Sequence, residues 1–184
     1  TTEIEKTNIS GEICINGPTI MKRYLNNPEE TKKVLKRHND GKLWLHTGDV
    51  GYMNEEGIIF FESRIKRMIV SSGYNVYPQY IEKIIMQHPS VSTCAVIGID
   101  HPYKKQVAKA YIILRANFDL TEELKDDIKQ FCEKNLAKYA LPYEYEYVDD
   151  LPKTKVGKLA FTKLEEESKK GKNYGRTQNK LQNI

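Results

Sequence analysis

Residues 64–85, RIKRMIVSSGYNVYPQYIEKII, decide how this chain is read. A short β-branched run ends at Gly73, which supplies the positive φ that a tight turn needs. Pro78 then suits the first turn of a helix, where its missing N–H leaves nothing unsatisfied. Tyr80, Ile81, Ile84 and Ile85 recur at helical spacing and give that helix one apolar stripe, which His88-Pro89 closes. Strand, turn and amphipathic helix therefore follow one another without a linker.

Working downstream, CAVIGI (94–99) and AYIIL (110–114) read as buried strands. TEELKDDIKQFCEKNLAKY (121–139) reads as a helix capped by Thr121, with Leu124, Ile128, Phe131 and Leu136 on one face. YEYEYV (143–148) alternates aromatic and acidic residues, as a half-exposed strand does. LAFTKLEEESKK (159–170) continues the chain, and the polar segment beyond it has the composition of a disordered tail. Upstream, GEICING (11–17) and GIIFFES (57–63) are strand candidates. Between them Asn27 caps a helix with Pro28 at its first position and Glu29 and Glu30 in its first turn. Strands and helices mix without parallel-sheet periodicity, so the fold class expected is α+β.

Composition narrows the function classes. The 184 residues, 39% hydrophobic and 29% charged, suit one mid-sized or two small globular domains. No apolar run approaches the roughly 20 residues of a membrane-spanning helix, so no transmembrane segment is expected. Cys14, Cys94 and Cys132 sit apart in apolar stretches and read as reduced packing residues of a cytoplasmic protein. His38, His46, His88 and His101 lack metal-ligand spacing, so no metal site is expected. The net charge of +4 could suggest nucleic acid. However, Lys169, Lys170, Lys172, Arg176 and Lys180 carry five positive charges in an acid-free tail, leaving the preceding body near −1. No nucleic-acid partner is expected.

SRIK (63–66) fits the SxxK pattern of penicillin-binding enzymes but lacks its companion motifs, and neither a P-loop nor GxGxxG is present. More informative is LHTGDVGYMNEEG (45–57). Asp49 stands among small residues, where it either caps a tight turn or offers a carboxylate to ribose hydroxyls. LPKTKVGK (151–158) sets Lys153, Thr154, Lys155 and Lys158 around Gly157. Such a segment is either a solvated turn or a loop that delivers a lysine to a site.

Taken in order, GEICINGPTIMKRYLNNPEET (11–31), WLHTGDVGYMNEEGIIFF (44–61), SRIKRMIVSSGYNVYPQYIE (63–82) and LPKTKVGK (151–158) resemble the C-terminal part of the ATP-dependent, AMP-forming acyl-CoA synthetases. These belong to the adenylate-forming superfamily, and the resemblance runs from about Gly11 to about Glu166. It implies a barrel-like β-subdomain of the large AMP-binding domain at 1–65, a mobile α+β lid at 66–170 and a basic tail at 171–184. The rest of the large domain, with the acyl pocket, would lie upstream, and this chain alone is expected to be inactive. The implied reaction activates a carboxylic acid, taken as a fatty acid, with ATP and Mg2+ and transfers it to CoA.

Carried over residue by residue, Asp49 would bind the ribose hydroxyls with Phe61 packing nearby, and Arg64 would reach the ribose or phosphates. Lys158 would be the catalytic lysine between carboxylate and α-phosphate, Lys66 the hinge, and Ser72 and Gly73 the flank of the CoA tunnel. One departure is Ser63, where the family usually has glycine. The alternatives are an adenylation domain that loads a carrier protein, and a non-catalytic binding module.

Overall fold

The computed structural model describes residues 6–171 and divides into two compact units, the first ending at Lys66 and the second beginning at Arg67. Most of the expected tail, beyond Gly171, lies outside the described residues.

The first unit is built on one long strand. β1 (Gly11–Ile15), α1 (Pro28–Val34), β2 (Leu35–Arg37), β3 (Leu43–Met53) and β4 (Ile59–Arg64) follow in order. β1 runs antiparallel along one edge of β3, while β2 and β4 share the other edge. Among the described residues this sheet is open, so the barrel-like expectation is met only as far as a four-stranded sheet. α1 starts as its sequence dictates: Asn27 accepts the Glu30 N–H at 3.1 Å, and Pro28 opens the first turn. It stops at Val34 because Leu35 turns extended and pairs with Leu45.

The second unit is a sheet covered on both faces. β5 (Ile69–Ser71), β6 (Tyr74–Val76), α2 (Pro78–Ile85), β7 (Val91–His101), β8 (Lys105–Leu114), α3 (Glu122–Asn135), β9 (Glu144–Tyr147) and α4 (Phe161–Lys169) follow in order. β7 lies along one edge of β8, and β5 and β9 share the other; only β9 is parallel. Side chains of β7 and β8 alternate between two cores. Cys94, Val96, Ala110 and Ile112 meet Ile81 and Ile85 of α2 and Ile128 and Cys132 of α3. Ala95, Ile97 and Tyr111 meet Val148, Leu151 and Leu164 of α4 on the opposite face. Double-sided burial explains why these strands read as continuous apolar runs.

A buried ion pair holds the start of this unit. Arg67 Nη2 lies 2.5 Å from Glu82 Oε1 and 3.3 Å from the Val96 carbonyl, and Glu82 Oε1 also accepts the Val96 N–H at 2.8 Å. The guanidinium sits 3.5 Å above the Phe161 ring. Removing one partner strands the other charge, so Glu82→Ala is expected to cost about 3–5 kcal/mol. Chemical denaturation should show that loss, and Glu82→Gln should lose less. In the first unit a Cβ on Gly51 would stand 2.3 Å from the Phe60 carbonyl oxygen. Gly51→Ala is therefore expected to destabilise by about 1–3 kcal/mol. At Gly17 an added Cβ meets nothing within 4 Å, and Gly17→Ala should change stability by less than about 0.5 kcal/mol.

Candidate functional site

The Asp49 segment is shaped by a bulge in β3. Glu12 pairs with Val50 and Cys14 with His46, so Ile13 alone on β1 faces Thr47, Gly48 and Asp49 on β3. Gly48 takes φ +74°, which absorbs the extra length. Side chains then fix the loop. Thr47 Oγ1 donates to the Ile13 carbonyl at 2.7 Å and accepts the Asp49 N–H at 3.0 Å, and Glu12 Oε1 accepts the Gly48 N–H at 3.0 Å.

Asp49 stands opposite Arg64 in the register with β4, and Phe61 stands opposite Gly51 on the same edge. A second bulge places the extra residue Glu62 between Ser63 and Phe61. Arg64 Nε lies 2.9 Å from Asp49 Oδ1, yet that buried oxygen receives no hydrogen bond. The two facts are compatible: the charges are close, but no N–H is aimed along the oxygen's lone pair. Asp49 thus keeps acceptor capacity for a hydroxyl donor. Phe61 is half exposed beside it, and Ser63 is fully buried.

Lys66 is the last residue of the first unit, exposed in the 3-10 turn Ile65–Arg67. Beyond it, Ser72 and Gly73 form a two-residue hairpin between β5 and β6. Both have positive φ, 49° and 86°, as the mirror-image turn matching strand twist requires. The Ser72 N–H donates to the Lys104 carbonyl at 3.0 Å. Beside this turn is a small cavity of about 100 Å³ whose lining includes Ser72, Tyr74, Lys104, Lys138 and Tyr139. Tyr74 and Tyr139 stack at 4.7 Å, and the Lys104 ammonium lies 5.7 Å from the Tyr143 ring. Sequence reasoning missed these lysines and tyrosines. They come from separate segments of the chain and carry no local spacing signal.

Lys158 lies elsewhere in the same unit, on the turn that leads into α4. Thr154 and Lys158 close that turn: the Thr154 N–H donates to the Lys158 carbonyl at 2.7 Å, and Thr154 Oγ1 accepts the Lys158 N–H at 3.2 Å. Gly157 has φ +81°, and Lys153 bridges Leu159 across the base. Leu151 on one side is buried, and Lys153 is tied to Asp150 at 3.1 Å. Lys158 is exposed, and its ammonium makes no hydrogen bond or ion pair among the described residues. A free amine on a self-bonded tip can be delivered to an anion at little reorganisation cost.

One grouping departs from the expectation that the cysteines and histidines lack a common site. Cys14, His38 and His46 come together in the first unit, with one potential ligating atom from each within 4.8 Å of the others. Their separation along the chain hid this. His88, in contrast, is buried between Ser90, at 2.8 Å, and Asp127, at 3.1 Å, with Phe131 against its ring. That is a packing role at the end of a helix.

The chain is similar to known proteins over nearly all of its described length. Residues 80–158 match the family of the AMP-binding enzyme C-terminal domain. A long-chain-fatty-acid–CoA ligase of Bacillus subtilis is 40% identical over 85% of this chain and 27% of its own length. A 4-coumarate–CoA ligase 1 of Oryza sativa subsp. japonica is 39% identical over 83% of this chain and 26% of its own length. Among solved structures, ATP-bound MatB from Rhodopseudomonas palustris superposes with a TM-score of 0.79 at 30% identity, covering 89% of this chain and 31% of that one. The chain thus spans about a quarter to a third of the length of the proteins it matches. No helix among the described residues is long and apolar enough to cross a membrane. Family match, relatives and fold agree: residues 80–158 match the AMP-binding enzyme C-terminal domain, and most of the chain is similar to one part of the adenylate-forming CoA ligases.

Proposed function

We propose that this chain supplies the ribose-binding edge and the mobile lysine of an ATP-dependent, AMP-forming acid–CoA ligase. The single observation that carries the reading is the exposed Lys158 ammonium, without a hydrogen bond or ion pair among the described residues, on a hydrogen-bonded turn in a chain that matches named acyl-CoA ligases. In the first half-reaction a carboxylate oxygen attacks the α-phosphorus of ATP, the bond to pyrophosphate breaks and an acyl-adenylate forms. Negative charge moves onto the phosphate oxygens, and Lys158 stabilises it as a compact cation. In the second, the CoA thiol attacks the acyl carbonyl, gives up its proton and expels AMP.

Asp49 accepts the ribose hydroxyls through the acceptor capacity that Arg64 leaves unused. Arg64 serves the ribose or phosphate side, and Phe61 packs nearby. Mg2+ accompanies the triphosphate, and no described residue of this chain is assigned to it. Ser72 and Gly73 border the path of the CoA arm, with Lys104 and Lys138 available beside them for its phosphates. The two tasks of the second unit sit on different surfaces, so turning about Lys66 exchanges them at one nucleotide. A long-chain fatty acid is the first substrate to test, after the Bacillus relative. The rice relative acts on a different acid by its name at nearly the same identity, so this region does not choose the acid.

The test grafts this chain in place of the corresponding region of the Bacillus ligase. Lys158→Ala should lower pyrophosphate exchange by about 10²–10³-fold, the range seen when one transition-state charge contact is lost. Thioester formation from supplied acyl-adenylate should stay within a few-fold. Equal loss in both half-reactions would refute the assignment. Asp49→Asn should raise the KM for ATP by about 10- to 100-fold, as loss of a charged acceptor does; an unchanged KM would remove Asp49 from the site.

A further inference from the structure

The first unit holds a cluster that the ligase reading does not use. We propose that Cys14, His38 and His46 form a binding site for a borderline-soft divalent cation of the zinc class, with Glu12 as the group that orients His46. The inference stands on these side chains alone and does not depend on the ligase assignment.

The donors come from three strand segments that converge on the end of β1. Cys14 and His46 are cross-strand partners in the β1–β3 register, and Cys14 Sγ lies 3.6 Å from His46 Nδ1. His38 follows β2, in a turn closed by its own backbone bonds to Gly41 and Lys42. Trp44 stacks on its ring at 5.3 Å. His38 Nε2 and His46 Nε2 face each other at 3.0 Å.

Glu12 decides the tautomer. Its Oε2 lies 2.7 Å from His46 Nδ1 and draws the ring proton there, which leaves the Nε2 lone pair pointing toward His38. A carboxylate behind one nitrogen is the arrangement that metal-bound histidines adopt; the other nitrogen lies within hydrogen-bond distance of His38 Nε2, so a metal would replace the proton shared there. One thiol and two imidazoles favour zinc over hard, oxygen-seeking ions, and three protein ligands leave a fourth position for water.

Zinc bonds of about 2.0 Å to nitrogen and 2.3 Å to sulfur place ligands roughly 3.3–3.8 Å apart. The imidazole pair is already close to that spacing, whereas Cys14 Sγ lies nearer His46 Nδ1 than the ligating Nε2 requires and has to swing inward as separations of up to 4.8 Å contract. Burial and the Glu12 carboxylate push the Cys14 thiol up, while Lys36 draws it down. On binding, the S–H bond breaks, its proton passes to water and the thiolate takes the metal. Thr47, Gly48 and Asp49 follow His46 directly, so an ion here would brace the shoulder of the Asp49 bulge.

The test adds Zn2+, and separately Co2+, to the full chain. One Zn2+ per chain is expected, with a thiolate-to-cobalt charge-transfer band for Co2+. Cys14→Ser should abolish the band, and His38→Gln should weaken Zn2+ binding at least tenfold. Glu12→Gln should weaken it by about 10- to 100-fold, as loss of an orienting partner does. Cys94→Ser, in the buried core of the other unit, should retain both signals. In the unmutated chain, Zn2+ should also slow alkylation of one thiol at least tenfold, a readout that needs no variant to fold. Absence of stoichiometric binding, or no protection of a thiol, would overturn the proposal. So would binding that survives both Cys14→Ser and His38→Gln, since a simple imidazole–imidazole hydrogen bond would then account for the contact.

Discussion

The second unit depends on the pairing of Arg67 with Glu82. Both side chains are nearly buried, and taking two charges out of water is favourable only when every remaining donor and acceptor is used. Here they are used. Glu82 Oε1 meets both Arg67 and the Val96 N–H, while the guanidinium reaches the Val96 carbonyl and covers the Phe161 ring. The first residue of the unit is thereby fastened to α2, β7 and α4 at once. Phe161 opens the helix that follows the Lys158 turn, so the same contacts tie that turn to the start of the unit.

The first unit meets a different constraint with comparable economy. For Asp49 to take ribose hydroxyls as proposed, its carboxylate has to be presented firmly and still be short of donors. The β3 bulge gives firmness, because Ile13, Thr47 and Glu12 satisfy the backbone of the loop around Asp49. The offset contact with Arg64 leaves the shortage, since the charge is compensated without a hydrogen bond to Oδ1. A better aimed arginine would stabilise the free protein and remove the acceptor.

What the sequence showed was what local chemistry controls. Asn27 and Thr121 cap α1 and α3 as their positions suggest, and Ser72-Gly73 forms the expected turn. The helix stripe of Ile81 and Ile85 faces the core. What remained hidden depended on distant pairing. α1 is cut short by the register of β2 with β3, and β9 joins β8 in parallel although its own pattern gives no direction. The imidazoles of His38 and His46 meet only because β2 and β3 fold back on each other. The site residues proposed from the family motifs could be named from sequence because each sits in a contiguous phrase. Lys104, Lys138 and Tyr139 have no such phrase, and only the fold assembles them.

The choice of lysine at 158 follows from the surroundings of the turn. An arginine there would present a planar fork that gains most when a matching partner holds it in one orientation. No such partner exists among the described residues: the tip is exposed, and the nearest tethered cation, Lys153, is taken by Asp150. A single ammonium on a flexible stem can approach phosphate oxygens from several directions, so small errors in the delivered position cost little. Rigidity is invested in the backbone, where Thr154 and Gly157 fix the turn, and freedom is left to the side chain. That division fits the delivery of Lys158 to a phosphate proposed above.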